Sequence, residues 1–233
     1  MSKTEYRRRC IMIAAGAVLS GISLAFGRNG AIGGVTTASA GVVLSLKTGL
    51  TTGTCVIFTS IVLMLLQAVI LGRRFKPIQL WQAGLAVIYG VTSDLFFLAI
   101  RQIPSETYPQ KLLMVLGSLM FSVFGKTLYN IAGDNDKGVV IVKTADDSFV
   151  AMITDMTKGN IDAVKWIFDI CYVGLAVLLS FIFFGELRGV REGVIIVAVG
   201  SFFLTKLFVK LFAKPLTSLL KRGIPGSEFP ADE

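Results

Sequence analysis

Six apolar segments, each long enough to cross a bilayer, take up most of this 233-residue chain. They run over Cys10–Phe26, Thr54–Leu71, Leu80–Ile100, Leu112–Ala132, Trp166–Gly185 and Val194–Phe212. At ~1.5 Å of rise per residue each can span a hydrocarbon core of roughly 30 Å, the shortest with help from its flanks. Hydrophobic residues make up 54% of the chain, charged residues 16%, and the mean hydropathy is +0.73. A water-soluble domain of this length cannot hide that much apolar surface, so the lipid bilayer is the expected solvent.

The last three segments repeat the first three. In a frame of 110 residues, Ile57-Phe58 falls opposite Ile167-Phe168, Val87 opposite Val197 and Gly90 opposite Gly200. Three crossings per repeat force the halves into opposite orientations, the plan of many secondary transporters. The expected fold is an all-α membrane protein of six transmembrane helices in an inverted 3+3 repeat. Repeat one covers residues 10–100 and repeat two 111–212 of a single membrane domain, 1–212; residues 213–233 are expected as a cytoplasmic tail.

The net charge of +8 is not a nucleic-acid signal, because it is distributed as the positive-inside rule requires. The N-terminus, the second and fourth loops and the C-terminal end hold sixteen Lys and Arg, from Lys3, Arg7, Arg8 and Arg9 to Lys221 and Arg222. The alternate loops hold six: Arg28, Lys47, Arg101, Lys111, Arg188 and Arg191. Both termini are therefore expected in the cytoplasm. Arg7–Phe26 also has the pattern of a cleaved signal peptide, but an uncleaved first helix fits both the repeat and this charge count and is the expectation. Cys10, Cys55 and Cys171 lie in or beside apolar segments and read as packed thiols. The chain has no His, which removes His-based triads, proton shuttles and HExxH metal sites. No cofactor is expected and no enzymatic activity.

Between the first two crossings lie Gly27, Gly30, Gly33, Gly34, Gly41, Gly49 and Gly53, and from Asn29 to Leu46 there is no charge. Such a stretch is either a re-entrant segment, its backbone satisfied by protein or a wet cavity, or an external loop. The matching connection of the second half, Asp134–Lys165, is far more polar, with Gly138–Val142 and Phe149–Ile153 as short patches suited to the interface.

Charges inside the apolar segments carry the functional expectation, since each costs at least ~2.5 kcal/mol there unless paired or wet. Asp94 lies in the outer part of the third crossing, Lys126 in the inner part of the fourth, and Asp169 near the inner start of the fifth. Lys126 and Asp169 fall at similar depth and are expected to pair, with Asp94 too far away to reach either. Asp169 maps onto Thr59, Lys126 onto Gly16 and Asp94 onto Leu204, so all three charges break the repeat. Asp94, Lys126, Asp169 and Thr59 are the candidate substrate- or ion-binding residues. Gln67 and Gln82 are cheaper to bury and are expected to bridge helices. Gly16-Ala17-Val18-Leu19-Ser20 has the small-xxx-small spacing that permits close helix packing, within the chain or in a homo-oligomer.

Three short motifs, Lys76-Pro77-Ile78-Gln79-Leu80, Ile167-Phe168-Asp169 and Gly189-Val190-Arg191-Glu192-Gly193, give the chain a further relation. Through them, from about Ala14 to Phe212, it resembles a bacterial membrane family of the YczE type, grouped with YitT-like proteins. The resemblance implies a multi-pass protein of the bacterial inner membrane and no particular substrate. The expected function is a small secondary transporter or permease for a small solute or ion, with its site where the halves meet. The alternatives are a substrate-binding membrane subunit that needs an energising partner, which would bind ligand without transporting it, and a membrane scaffold indifferent to loss of Asp94.

Overall fold

A computed structural model describes residues 3–133 and 143–221. Among them it has eight α-helices and no strand. Six are long and apolar enough to cross a membrane: α1 (Lys3–Asn29), α3 (Thr52–Leu71), α4 (Trp81–Ile100), α5 (Tyr108–Gly133), α7 (Ile161–Phe184) and α8 (Glu192–Lys221). Two are short, α2 (Ser39–Thr48) and α6 (Ala145–Thr157). Large apolar side chains stay exposed along the long helices, among them Phe58, Val69, Leu95, Ile182 and Phe203. Helices that are apolar all round and still present such faces outward are solvated by lipid. This is a membrane protein.

The order long, short, long, long occurs twice. In the first half α1 packs on α4, and in the second α5 packs on α8; α2 packs against α3 and α7, and α6 against the same two helices. The halves join along α1 and α5, which run antiparallel. Seven-residue steps put Arg9, Gly16 and Ser23 of the first, and Gly30 just past its end, opposite Ala132, Gly125, Ser118 and Lys111 of the second. A seven-residue repeat keeps one seam facing the partner. Small residues let the backbones touch: a Cβ on Gly16 would stand 3.0 Å from the Gly125 carbonyl oxygen, and one on Gly125 2.9 Å from that of Gly16. Ser23 Oγ donates to the Ser118 carbonyl at 2.6 Å, and Arg9 donates to that of Ala132 at 3.0 Å, satisfying the open end of α5.

Both described ends lie on one face, because Arg8 donates to the carbonyls of Leu219 and Leu220. We refer to this as the terminal face and to the other as the far face. The Arg8 contact also bears on where the last helix stops. The sixth apolar segment ends at Phe212, but α8 continues through Pro215 to Lys221, its final carbonyls capped by the first helix. Residues 222–233 of the expected tail, and Gly138–Val142 of the second connection, fall outside the described residues.

The Gly-rich connection does not stay outside. From Asn29 at the far face the chain descends along α1, turns through a 3-10 turn at Thr36–Ala38, and returns as α2 to lie beside Gly189 in the α7–α8 connection. Glycine makes the descent possible. Gly27 and Gly34 are in backbone contact, and a Cβ on Gly34 would meet the Gly27 Cα at 2.6 Å. Of the two readings of this stretch, the re-entrant one matches this path. On the terminal side α6 enters in the same manner: Ala145 is buried and its carbonyl accepts from Gln67 at 2.8 Å. Gln82 donates in turn to Gln67 at 3.1 Å, so the two amides bridge α3, α4 and α6. Phe149–Ile153, expected as an interfacial patch, lies within α6, which packs on α3 and α7 and buries Val150 and Met152.

Candidate functional site

The two short helices enter the protein N-terminus first, from opposite faces. Neither the turn at Thr36 nor the start of α6 at Ala145 has a side-chain cap on its first N–H groups. Their positive dipole ends therefore converge on the interior, where uncapped N–H groups favour negative charge.

Between them lies a cavity of about 40 Å³. Hydroxyls line it: Ser20 and Ser23 from α1, Thr37 from the re-entrant turn, Ser60 from α3, Tyr89 from α4 and Ser122 from α5. The Tyr89 hydroxyl is buried and has no hydrogen-bond partner. Lys126, Asp146 and Asp147 complete the wall. A volume this small, with hydroxyls set among apolar walls, accommodates little more than water.

A wider cavity adjoins this chamber on either side. Towards the far face, about 430 Å³ opens over the re-entrant segment, and Val35 lines both spaces. Towards the terminal face, about 200 Å³ lies between α5, α7, α8 and α6, and Lys126 and Asp147 line both. Three cavities thus stand in series across the protein, with the narrowest in the middle.

The terminal-side cavity holds most of the charge. Lys165 bonds Asp147 at 2.9 Å and lies 3.7 Å from Asp146, and Lys206 bonds Asp162 at 2.6 Å. Burial by itself would raise the Asp147 pKa. The charge and hydrogen bond of Lys165, aided by Lys126 and Lys143, outweigh it and hold the carboxyl at about 2.

Lys126 and Asp169 face this same cavity and are not an ion pair. The Lys126 ammonium donates to Ser201 Oγ at 2.9 Å, and Asp169 Oδ1 is buried with no hydrogen-bond partner. The expectation of a direct pair is corrected on this point. Similar depth brought the two to one cavity, but they stand on walls that the cavity separates.

Asp94 sits elsewhere. Its Oδ1 accepts the backbone N–H of Gly53 at 2.9 Å and lies 3.8 Å from Arg28, whose guanidinium is 3.8 Å from the centre of the Phe97 ring. It closes the open first turn of α3, and it acts on the far-face cavity through Arg28, which lines that space. Thr59 back-bonds to the Val56 carbonyl at 3.1 Å and lies beside Tyr172. The four candidate residues therefore divide into a cavity pair, a helix cap and a position on α3. The hydroxyl chamber and Lys165 were not among them. Serines and threonines bury cheaply in apolar helices, so they leave no charge or periodicity signal. Lys165 sits at the edge of a crossing, where a lysine reads as a flank.

No curated protein and no solved structure matches the chain. Residues 7–210 match the profile of a family described as a family of unknown function, DUF6198. That stretch takes in all six long helices and both short ones except the terminal turns of α1 and α8, and the chain belongs to the DUF6198 family.

Proposed function

We propose that the protein is a small secondary transporter or permease, built as an inverted 3+3 repeat in the bacterial inner membrane with both termini cytoplasmic. One observation carries the reading: three cavities in series that share wall residues, Val35 on one side and Lys126 and Asp147 on the other. Wide spaces at both faces with a narrow, hydroxyl-bearing centre suit alternating access better than an open pore. The repeated element order, the antiparallel α1–α5 seam and the two inward-pointing short helices support the inverted repeat. The distribution of Lys and Arg supports cytoplasmic termini. The likeness of three motifs to YczE-type proteins supports the bacterial inner membrane.

Single cysteines in a background lacking Cys10, Cys55 and Cys171 test this in sealed vesicles. Ser39→Cys, in the far-face cavity, should react with a small thiol reagent from outside, and Ser201→Cys, in the terminal-face cavity, from inside. Ser122→Cys, in the central chamber, should react slowly from either. If both vestibule positions are inert from both sides, there is no solute path and the proposal fails. Ser105→Cys and Gly189→Cys should label from outside intact cells with an impermeant reagent, and Lys76→Cys should not; the reverse pattern would place the termini outside.

A further inference from the structure

We propose that the cavity between α5, α7 and α8 takes a small zwitterion, its carboxylate at Lys126 and its primary ammonium at Asp169 and Thr205. The inference rests on the transport reading above and names the ligand class of its terminal-side site.

Nearly every other charge on this cavity wall already has a partner. Lys165 is held by Asp147 and Asp146, and Lys206 by Asp162. Lys143 adds positive charge beside Asp147. Lys126 has only a neutral hydroxyl, that of Ser201, which donates onward to the Ala198 carbonyl at 3.3 Å. Asp169 Oδ1 and Thr205 Oγ1 are both buried without a partner. Among the described residues Lys126 and Lys143 lack a counter-ion, and Asp169 Oδ1 and Thr205 Oγ1 lack a hydrogen-bond partner, all around a space of about 200 Å³.

An isolated charge of either sign is costly at membrane depth. Two opposite ones facing a single cavity without touching are better satisfied by something that carries both signs. A simple anion satisfies Lys126 and leaves Asp169 and Thr205 as they are. A simple cation does the converse. A zwitterion answers both, and its zero net charge leaves the Lys165–Asp147 pair undisturbed. Asp169 Oδ1 calls for an N–H donor and Thr205 Oγ1 can accept a second one, so a primary ammonium fits where a quaternary one offers nothing to donate. The remaining wall is Asn130, Lys143 and an apolar part, Ala198, Ala151, Val150, Ile161 and Phe202, which accepts a short apolar substituent. Amino acids with small neutral side chains, α or ω, have this chemistry.

The experiment is thermal stabilisation of the purified full-length protein in detergent at constant ionic strength. The probes are glycine, L-alanine, β-alanine and 4-aminobutyrate, against acetate, methylammonium and glycine betaine. At least one primary-ammonium zwitterion should raise the melting temperature, with acetate, methylammonium and betaine about tenfold or more weaker, singly or combined. Asp169→Asn should fold normally and lose the effect, and Lys126→Arg should keep part of what Lys126→Met loses. The inference is overturned if acetate or methylammonium alone matches the zwitterions, if betaine does, if no probe stabilises, or if stabilisation survives in both Asp169→Asn and Lys126→Met. Those failures are separable from failure of the transport reading. Vestibule cysteines that react as expected while no zwitterion binds leave a path with a different cargo. Zwitterion binding with inert vestibule cysteines leaves a binding protein that does not transport.

Discussion

The helix pairs α3–α4 and α7–α8 occupy matching places in the 110-residue frame and are packed in opposite ways. In the first pair Gly53 and Gly90 meet backbone to backbone, and a Cβ on Gly90 would stand 2.6 Å from the Gly53 carbonyl oxygen. Asp94 then closes the start of α3. The same frame puts Ala163, Gly200 and Leu204 in the second pair, so one glycine and the carboxylate are gone. Val56 and Thr92 of the first pair correspond to Trp166 and Phe202, whose rings meet with centroids 5.0 Å apart. Two large rings hold α7 and α8 at a distance that two glycines do not. The space left behind is the cavity that Lys126 and Asp169 face. One architecture thus gives a sealed interface and a hollow one, and the difference lies in a few side-chain volumes.

The largest expected effect comes from adding volume to the sealed pair. Gly90→Ala puts a methyl against Ile57 and against the Gly53 backbone oxygen, which cannot rotate away. A loss on the order of 1–3 kcal/mol is expected, seen as a melting temperature several degrees lower in detergent. Its counterpart Gly200→Ala meets the tip of Leu119, with Cδ2 at 2.9 Å, and a leucine tip can rotate. It should cost clearly less. Equal losses at the two positions would show that the pairs are not packed differently.

Next is the ion pair that braces the hollow side. Asp147→Asn removes a charge-assisted bond to Lys165 and should destabilise by about 1–2 kcal/mol. The pair also gives the protein an acid limit. With the Asp147 carboxyl held at about 2, its contribution is fully present above the ordinary aspartate value. It is lost as pH falls from roughly 4 towards 2. Its side chain is 23% exposed, so solvent screening keeps that contribution to at most about 2 kcal/mol. Melting temperature against pH should fall more shallowly through this range in Asp147→Asn than in the parent protein; parallel curves would remove the pair from the account.

The sealed side has an electrostatic counterpart in Asp94. Asp94→Leu, which copies Leu204, removes the acceptor from the first turn of α3 and should cost about 1 kcal/mol. Asp94→Asn keeps an oxygen for the Gly53 N–H and should cost less. If the two variants melt together, the carboxylate is not acting as a cap.

How much of this was legible depends on whether the determinant was local. The six crossings follow from runs of apolar residues, and Gly16 was legible as a close-packing position, but that its partner is Gly125 of α5 shows only after folding. The glycines between Asn29 and Gly53 mark an unusual backbone, but only contact with α1 decides between re-entry and a loop. Asp94 was visible as a buried charge, and its partner Gly53 was not, because a backbone N–H 41 residues away has no signature in sequence. Depth along a helix placed Lys126 and Asp169 at one level. Their rotation about their own helices and the width of the gap between them depend on Trp166 and Phe202, whose effect is felt only after packing.

The smallest effect is expected at Asp169, and its sign is the most informative. On the sealed side Asp94 has partners, the Gly53 N–H and Arg28, so removing it costs stability. On the hollow side Asp169 Oδ1 has none. Replacing an unpaired buried carboxylate with a neutral amide relieves a desolvation cost and breaks no bond to Lys126. Asp169→Asn should therefore melt at the parent temperature or slightly above, in the absence of ligand. Combined with Lys126→Met it should be close to additive, because residues without a shared contact couple weakly. Thermal melts of the two single variants and the double variant, in one detergent at one pH, decide the matter. A strong loss in Asp169→Asn that Lys126→Met reverses would mean that the two charges pair directly, and the hollow interface would then be as self-satisfied as the sealed one.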